Sequence, residues 1–295
     1  ASDVYKRQIW APLKIVKSVM QVIGIVRRYQ PDLVLGMGGF VTGPTGVGVW
    51  LCRRPVFIHE QNAVAGFTNK MLSRFARKVF QAFPSAFPAG ADVETTGNPV
   101  RREIVAIDPP ALRYEQREGP LRILVLGGSQ GAVALNELVP EALARLQSDV
   151  EFLVRHQCGA KNIEAASQRY LQSNVDADVV PFIDDMAAAY AWADVVICRS
   201  GALTVSELAA SGVASVLIPY PYAVDDHQTK NGEYLSFAGA AVLIQQQGLN
   251  AAALAALLKQ QLKSREKLKS MAEKARALAM TDATEKLVQR CMEMA

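Results

Sequence analysis

The ten residues Cys198-Arg199-Ser200-Gly201-Ala202-Leu203-Thr204-Val205-Ser206-Glu207 have the types and order of an anion site. An apolar run, Asp194-Val195-Val196-Ile197, reads as a buried strand leading into them, and Leu203 to Leu208 reads as a helix leaving them. A strand that stops at Arg-Ser-Gly and restarts as a helix leaves backbone N–H groups without intrahelical partners at the helix start. The helix dipole and the Arg199 charge both favour an anion there. Glu207 falls inside the helix, where a carboxylate can accept hydrogen bonds from a sugar diol. The segment suits a nucleoside diphosphate.

Other segments carry compatible chemistry. Leu126-Gly-Gly-Ser-Gln-Gly-Ala132 follows an apolar run and opens a helical pattern, so its glycines let the backbone approach a phosphate and Ser129 can donate a hydroxyl. The alternative is a plain strand–helix turn. No Gly-Lys-Ser/Thr follows, and the dinucleotide spacing G-x-G-x-x-G is absent, which disfavours a P-loop and a nicotinamide dehydrogenase. Gly36-Met-Gly-Gly-Phe-Val-Thr-Gly-Pro44 is a second Gly-rich turn, and one such loop per domain suggests a ligand held in a cleft between two domains. His59-Glu60-Gln61-Asn62 ends a strand, where polar side chains face the crevice of an open α/β sheet; a hydrogen-bonded, strand-capping His59 is the alternative. Arg101 can reach a phosphate or stand as a surface arginine. In Phe182-Ile-Asp-Asp-Met186, Asp184 reads as a helix cap and the Ile183 backbone as a partner for a nucleobase. In Asp225-Asp-His-Gln-Thr-Lys-Asn231 one aspartate reads as a cap, while Gln228 can bond sugar hydroxyls. His156 lies in a strand and reads as structural.

The elements that must position these residues alternate strand and helix. Apolar runs at Asp32–Leu35, Val56–His59, Lys78–Ala82, Ile123–Leu126, Phe152–Arg155, Val179–Phe182, Val195–Ile197, Ser215–Pro219 and Ala241–Ile244 are unbroken, as in parallel strands covered on both faces. Helical stretches include Ala132–Leu146, Asp226–Phe237, Asn250–Leu278 and Thr281–Met294. Prolines and glycines among charges break the alternation at 99–120, which reads as a linker. The expected division is a leader at 1–8 foreign to the fold, a first domain at 9–98, the linker, a second domain at 121–280 and a terminal helix at 281–295. The first domain shows about three strands against about six in the second, so it is expected to lack N-terminal strands.

The net charge of +4 on 295 residues, without a basic stripe interleaved with aromatics, argues against nucleic acid. Four scattered cysteines form no CxxC pair, so neither a metal site nor a disulfide framework is expected. No apolar run reaches the roughly 18 residues that span a bilayer. Ile9, Leu13, Val16, Met20 and Ile23 fall at helical spacing near Lys14, Lys17, Arg27 and Arg28, which fits a core-facing helix or, with Trp10 and Trp50, one resting on an anionic membrane surface.

Seven motifs occur in order: Val34-Leu-Gly-Met-Gly-Gly-Phe, His59-Glu-Gln-Asn, Gly97-Asn-Pro-Val-Arg, Gly127-Gly-Ser-Gln-Gly-Ala, Phe182-Ile-Asp-Asp-Met, Arg199-Ser-Gly-Ala-Leu-Thr-Val-Ser-Glu and Asp226-His-Gln-Thr-Lys-Asn. From Ile9 onward the chain closely resembles the MurG family of bacterial N-acetylglucosaminyltransferases. The resemblance implies a GT-B fold, two Rossmann-like doubly wound parallel-sheet domains facing a cleft. It implies UDP-N-acetylglucosamine (UDP-GlcNAc) as donor, lipid I as acceptor and lipid II as product, made for peptidoglycan at the cytoplasmic face of the inner membrane without a metal or cofactor. It also implies peripheral membrane attachment and other cell-wall synthesis proteins as partners. By motif, Ser129 and Arg101 would serve the donor phosphates, Ile183 the uracil, and Ala202, Leu203, Thr204, Val205, Ser206 and Glu207 the nucleotide sugar, with Glu207 on the ribose. Asn62 and Gln228 would meet the GlcNAc hydroxyls. His59, Glu60, Asn136 and Arg199 stand where the family has residues important for activity, with His59 and Glu60 supporting catalysis. The family's Gly-Gly-Thr-Gly-Gly-His loop, whose histidine is the favoured general base, has no counterpart here, so the expectation from sequence is UDP binding with poor or no turnover. Phe40 also stands where some members have Tyr. The rival expectations are an enzyme like UDP-GlcNAc 2-epimerase, which needs no lipid acceptor, and a non-catalytic donor-binding half of a split transferase.

Overall fold

The computed structural model describes residues 2–84, 86–88, 92–115, 117–128 and 131–294, with side chains from residue 12 to 293 within those ranges. The chain divides into two compact units, Ala1–Asn98 with Asp282–Ala295, and Pro99–Thr281.

The first unit runs α1 (Ser2–Tyr29), β1 (Val34–Gly36), α2 (Thr42–Leu51), β2 (Val56–Glu60), α3 (Phe67–Leu72), β3 (Lys78–Gln81) and β4 (Val93–Thr95). Its four strands are parallel in the order β1-β2-β3-β4. All five residues of β2 are buried, which explains its unbroken apolar pattern. Side chains alternate between faces. Val56, Ile58 and Val79 pack with Val26 of α1, Val49 of α2 and Leu72 of α3. Phe57 and Phe80, edge-to-face at 6.2 Å, instead pack with Leu287 of the C-terminal helix Ala283–Met294. That helix, expected as a segment of its own, thus supplies core to the first unit. The apolar stripe read on α1 faces differently from the core-facing reading: Val22 and Val26 point inward, while Leu13, Val16 and Met20 are more than half exposed.

The second unit continues with α4 (Arg102–Val105), α5 (Pro110–Glu115), β5 (Leu121–Leu126), α6 (Val133–Ala144), β6 (Phe152–Gln157), α7 (Ile163–Gln172), β7 (Asp178–Val180), α8 (Met186–Trp192), β8 (Val195–Cys198), α9 (Ala202–Ser211), β9 (Ala214–Leu217), α10 (His227–Ser236), β10 (Ala241–Leu243), α11 (Ala251–Leu262) and α12 (Arg265–Ala277). Six parallel strands lie in the order β10-β9-β8-β5-β6-β7, the Rossmann arrangement in which the chain starts centrally and winds outward both ways. Ile123, Val125, Val195, Ile197 and Val216 anchor the core, with Leu135, Val139 and Leu143 of α6 and Leu254, Leu258 and Leu268 of α11 and α12.

Three local expectations change. The linker at 99–120 is folded onto the second unit: Tyr114 is buried in the core, its hydroxyl donates to the Asp194 carbonyl at 2.6 Å, and Arg113 donates to the Ser211 carbonyl at 2.7 Å. The helical stretch Asn250–Leu278 is two helices, because the Ser264 backbone is extended and its hydroxyl caps the second one. The cap before α8 is Asp185 rather than Asp184, accepting the Ala188 N–H at 2.8 Å.

Candidate functional site

The C-terminal ends of β5, β6 and β8 open into a pocket of about 420 Å³ lined by Leu126, Gly128, Gln157, Phe182, Ile183, Met186, Tyr190, Cys198, Arg199, Leu203, Thr204, Glu207 and Arg101. Here the strand order reverses, with β6 on one side of β5 and β8 on the other, the usual ligand crevice of an open parallel sheet. Its size suits a small ligand.

Helix α9 begins at Gly201, whose extended backbone contributes no side-chain cap. The Arg-Ser-Gly turn before it is held by Asn231, which donates to the Ser200 carbonyl at 3.2 Å. Helical spacing then divides the run Ala202–Glu207. Leu203, Thr204 and Glu207 line the pocket, Val205 is fully buried on the opposite side, and the Ser206 hydroxyl donates to the Ala202 carbonyl at 3.0 Å.

Both Glu207 oxygens are engaged. Arg101 donates to Oε1 at 3.2 Å and the Tyr190 hydroxyl to Oε2 at 3.0 Å. Burial, reinforced by the Glu207 charge, holds the Tyr190 phenol well above its ordinary pKa, so it stays a donor. Arg199 is pinned by the carbonyls of Ile218 and Pro219, both at 3.0 Å, and by Gln246 Oε1 at 2.6 Å, which fixes its charge beside the pocket. Cys198 also lines the pocket, but burial pushes its thiol up to about 12, so it is no nucleophile at neutral pH.

The Gly-rich loop after β5 is held by Gln157, whose amide donates to the carbonyls of Gly128 at 3.0 Å and Pro181 at 3.1 Å. Gly131 has φ +73°, and a Cβ there would collide with the Cys158 carbonyl. Ser129 lies outside the described residues. Asn136, expected at the substrate, faces the interior instead. It donates to the Cys158 carbonyl at 3.2 Å and accepts from His156 Nε2 at 3.1 Å, while His156 Nδ1 lies 2.9 Å from the Tyr170 hydroxyl. The physical reason is position: Asn136 lies on the buried face of α6, where an amide must find partners within the fold.

In the first unit Glu60 is buried at the end of β2. Its Oε1 accepts the Asn62 backbone N–H at 2.9 Å and the Asn62 side chain at 3.2 Å, and its Oε2 accepts the Gly66 N–H at 3.0 Å and Asn69 at 2.8 Å. His59 is fully buried, with Nε2 donating to the Gly97 carbonyl at 2.9 Å and burial lowering its pKa. In the second unit Gln228 accepts the Tyr220 N–H at 2.9 Å. The structure therefore gathers Arg101, Ile183, Arg199, Leu203, Thr204 and Glu207 at one pocket. His59, Glu60 and Asn62 form a separate cluster in the first unit.

Residues 122–287 match the glycosyltransferase family 28 C-terminal domain, and residues 2–81 match its N-terminal domain. The chain belongs to glycosyltransferase family 28. A protein of Marinobacter nauticus is 50% identical over 97% of this chain and 78% of its own length. One from Burkholderia cenocepacia is 51% identical over 98% and 79%. Both are named UDP-N-acetylglucosamine--N-acetylmuramyl-(pentapeptide) pyrophosphoryl-undecaprenol N-acetylglucosamine transferase. The crystal structure of Acinetobacter baumannii MurG superposes with a TM-score of 0.86 at 44% identity, covering 96% of this chain and 79% of that one. The resemblance carried by the motifs thus extends over nearly the whole chain. The two parallel-sheet units are those of the GT-B fold.

Three residues that line this pocket or hold its turns have no place among the sequence-based expectations. Gln157 was legible in principle, being polar at the C-terminal end of a strand. Asn231 sits one helical turn inside α10, and only the fold reveals its reach to Ser200. Tyr190 is an aromatic on an apolar helix face, a pattern that reads as core.

Proposed function

We propose that this chain transfers N-acetylglucosamine from UDP-GlcNAc to the C4 hydroxyl of the MurNAc unit in undecaprenyl-pyrophosphoryl-MurNAc-pentapeptide (lipid I), with inversion, giving lipid II. The observation that carries the reading is identity of about half the residues, over nearly the whole chain, with transferases of that name. The pocket at the ends of β5, β6 and β8 suits the donor. Uracil meets the Ile183 backbone, the ribose hydroxyls meet Glu207, and the diphosphate lies between the Gly128 loop and the α9 N-terminus, served by Arg101 and Ser129. Asn62 and Gln228 take the GlcNAc hydroxyls.

In the reaction the acceptor O4 attacks C1 of GlcNAc, the C1–phosphate oxygen bond breaks, and the hydroxyl proton passes to a base. The helix dipole and Arg101 stabilise charge developing on departing UDP. His59 and Glu60 support the step indirectly, Glu60 by shaping the loop that carries Asn62 and His59 by securing the Gly97 carbonyl.

Exposed Phe40, Val41, Trp50 and Leu51 on the first unit, with Arg53 and Arg54 beside Trp50 and Leu51, support peripheral binding to an anionic membrane at its cytoplasmic face. Among the described residues no helix is long and apolar enough to cross a membrane. The test supplies radiolabelled UDP-GlcNAc and lipid I in anionic vesicles. Label is expected in the lipid fraction, with UDP released and the protein floating with the vesicles. Consumption of UDP-GlcNAc without acceptor, or UDP binding with no transfer, would overturn the reading.

A further inference from the structure

We infer that Tyr190 is the positioning residue that aims the Glu207 carboxylate at the ribose diol, and so sets the preference of the site for ribonucleotides over deoxyribonucleotides. The inference rests on the proposed contact between Glu207 and ribose.

A carboxylate rotates about its last bond and offers about four acceptor directions. In this structure one direction on each oxygen is taken, Oε1 by Arg101 and Oε2 by the Tyr190 hydroxyl. The two donors differ in rigidity. Arg101 is half exposed, with 52% of its side chain accessible, and can swing. Tyr190 is fully buried on α8, and its backbone carbonyl accepts from Arg113 at 3.3 Å. The tyrosine therefore fixes the carboxylate plane, leaving on each oxygen a second acceptor direction for a vicinal diol. The same short helix begins three residues after Ile183. A single element thus relates the nucleobase contact to the carboxylate that would read the sugar.

The experiment measures affinities of the full chain for UDP, 2′-deoxy-UDP and CDP by calorimetry, in wild type, Tyr190→Phe, Glu207→Gln and the double variant. Tyr190→Phe deletes the hydroxyl and keeps the ring in its place. The wild type is expected to prefer UDP over 2′-deoxy-UDP by about tenfold or more, the scale of a hydrogen bond to a charged group. Tyr190→Phe is expected to remove most of that preference and leave the UDP/CDP ratio unchanged. In the Glu207→Gln background the same substitution is expected to do nothing further, because its effect passes through the carboxylate. Ribose preference retained in Tyr190→Phe but lost in Glu207→Gln overturns the role of Tyr190 and leaves the ribose contact standing. No ribose preference in the wild type, or one indifferent to Glu207→Gln, overturns the ribose contact and this inference with it. Equal losses for UDP, 2′-deoxy-UDP and CDP, persisting in the double variant, would mark Tyr190 as packing alone.

Discussion

At the scale of single residues, the second unit keeps a neutral imidazole inside. His156 is fully buried, and burial lowers its pKa to about 4. Its partners fix the tautomer: Nε2 donates to Asn136 Oδ1, so Nδ1 accepts from the Tyr170 hydroxyl. A pKa near 4 in the fold against about 6.5 in the unfolded chain means that the unfolded state binds more protons below pH 6.5. Stability is therefore complete above that pH and declines as pH falls toward 4. Between pH 7 and pH 5 the loss is expected to be about 2 kcal/mol from this group. Urea titrations at both pH values measure it, and His156→Gln should flatten the difference; an unchanged slope would show that other groups dominate. The sequence made His156 legible as structural, since a histidine within an apolar strand must be satisfied internally. It made Glu207 legible because strand, turn and helix there follow from local pattern. The substrate role of Asn136 comes from the resemblance alone, and the helix phase that turns its amide inward depends on packing.

Among the elements, the segment at 99–120 is held to the second unit by Asp194. This aspartate is fully buried, ion-paired with Arg117 at 2.6 Å, and accepts the Arg122 N–H at 2.9 Å. Arg117 also donates to the Trp192 carbonyl at 2.7 Å and to the Ala191 carbonyl, closing the C-terminal end of α8. Asp194→Ala would strand a buried guanidinium, and about 3–5 kcal/mol of stability should go with it, read as a lower urea midpoint. A change below about 1 kcal/mol would show that α5 is merely laid on the surface. Prolines and glycines at 99–120 hid this arrangement, because two helices of four and six residues leave no periodic signature. Nine strands were legible as apolar runs because parallel strands are covered on both faces. The tenth, β4, is three residues, Val-Glu-Thr, at a sheet edge, too short and mixed to stand out.

For the molecule as a whole, the decisive feature is that Asp282–Ala295 belongs with the first unit. Nothing in the sequence says where a terminal amphipathic helix docks, because its apolar stripe would suit either sheet. Leu287 is buried against Phe57 and Phe80, and Arg290 pairs with Glu94 at 2.9 Å. Leu287→Ala is expected to destabilise the first unit by about 2–5 kcal/mol. Calorimetric scans should show one transition moving to lower temperature while UDP affinity is kept. Equal loss of UDP affinity would mean that the helix also supports the second unit. The arrangement also fixes an order of events during synthesis. Phe57 and Phe80 emerge early, but their cover is translated only after the roughly 180 residues of the second unit. At about 5–20 residues per second that is an interval of about 10–40 s. For that time Phe57 and Phe80 lack the cover of Leu287, leaving apolar surface suited to a chaperone until the helix Ala283–Met294 closes over it.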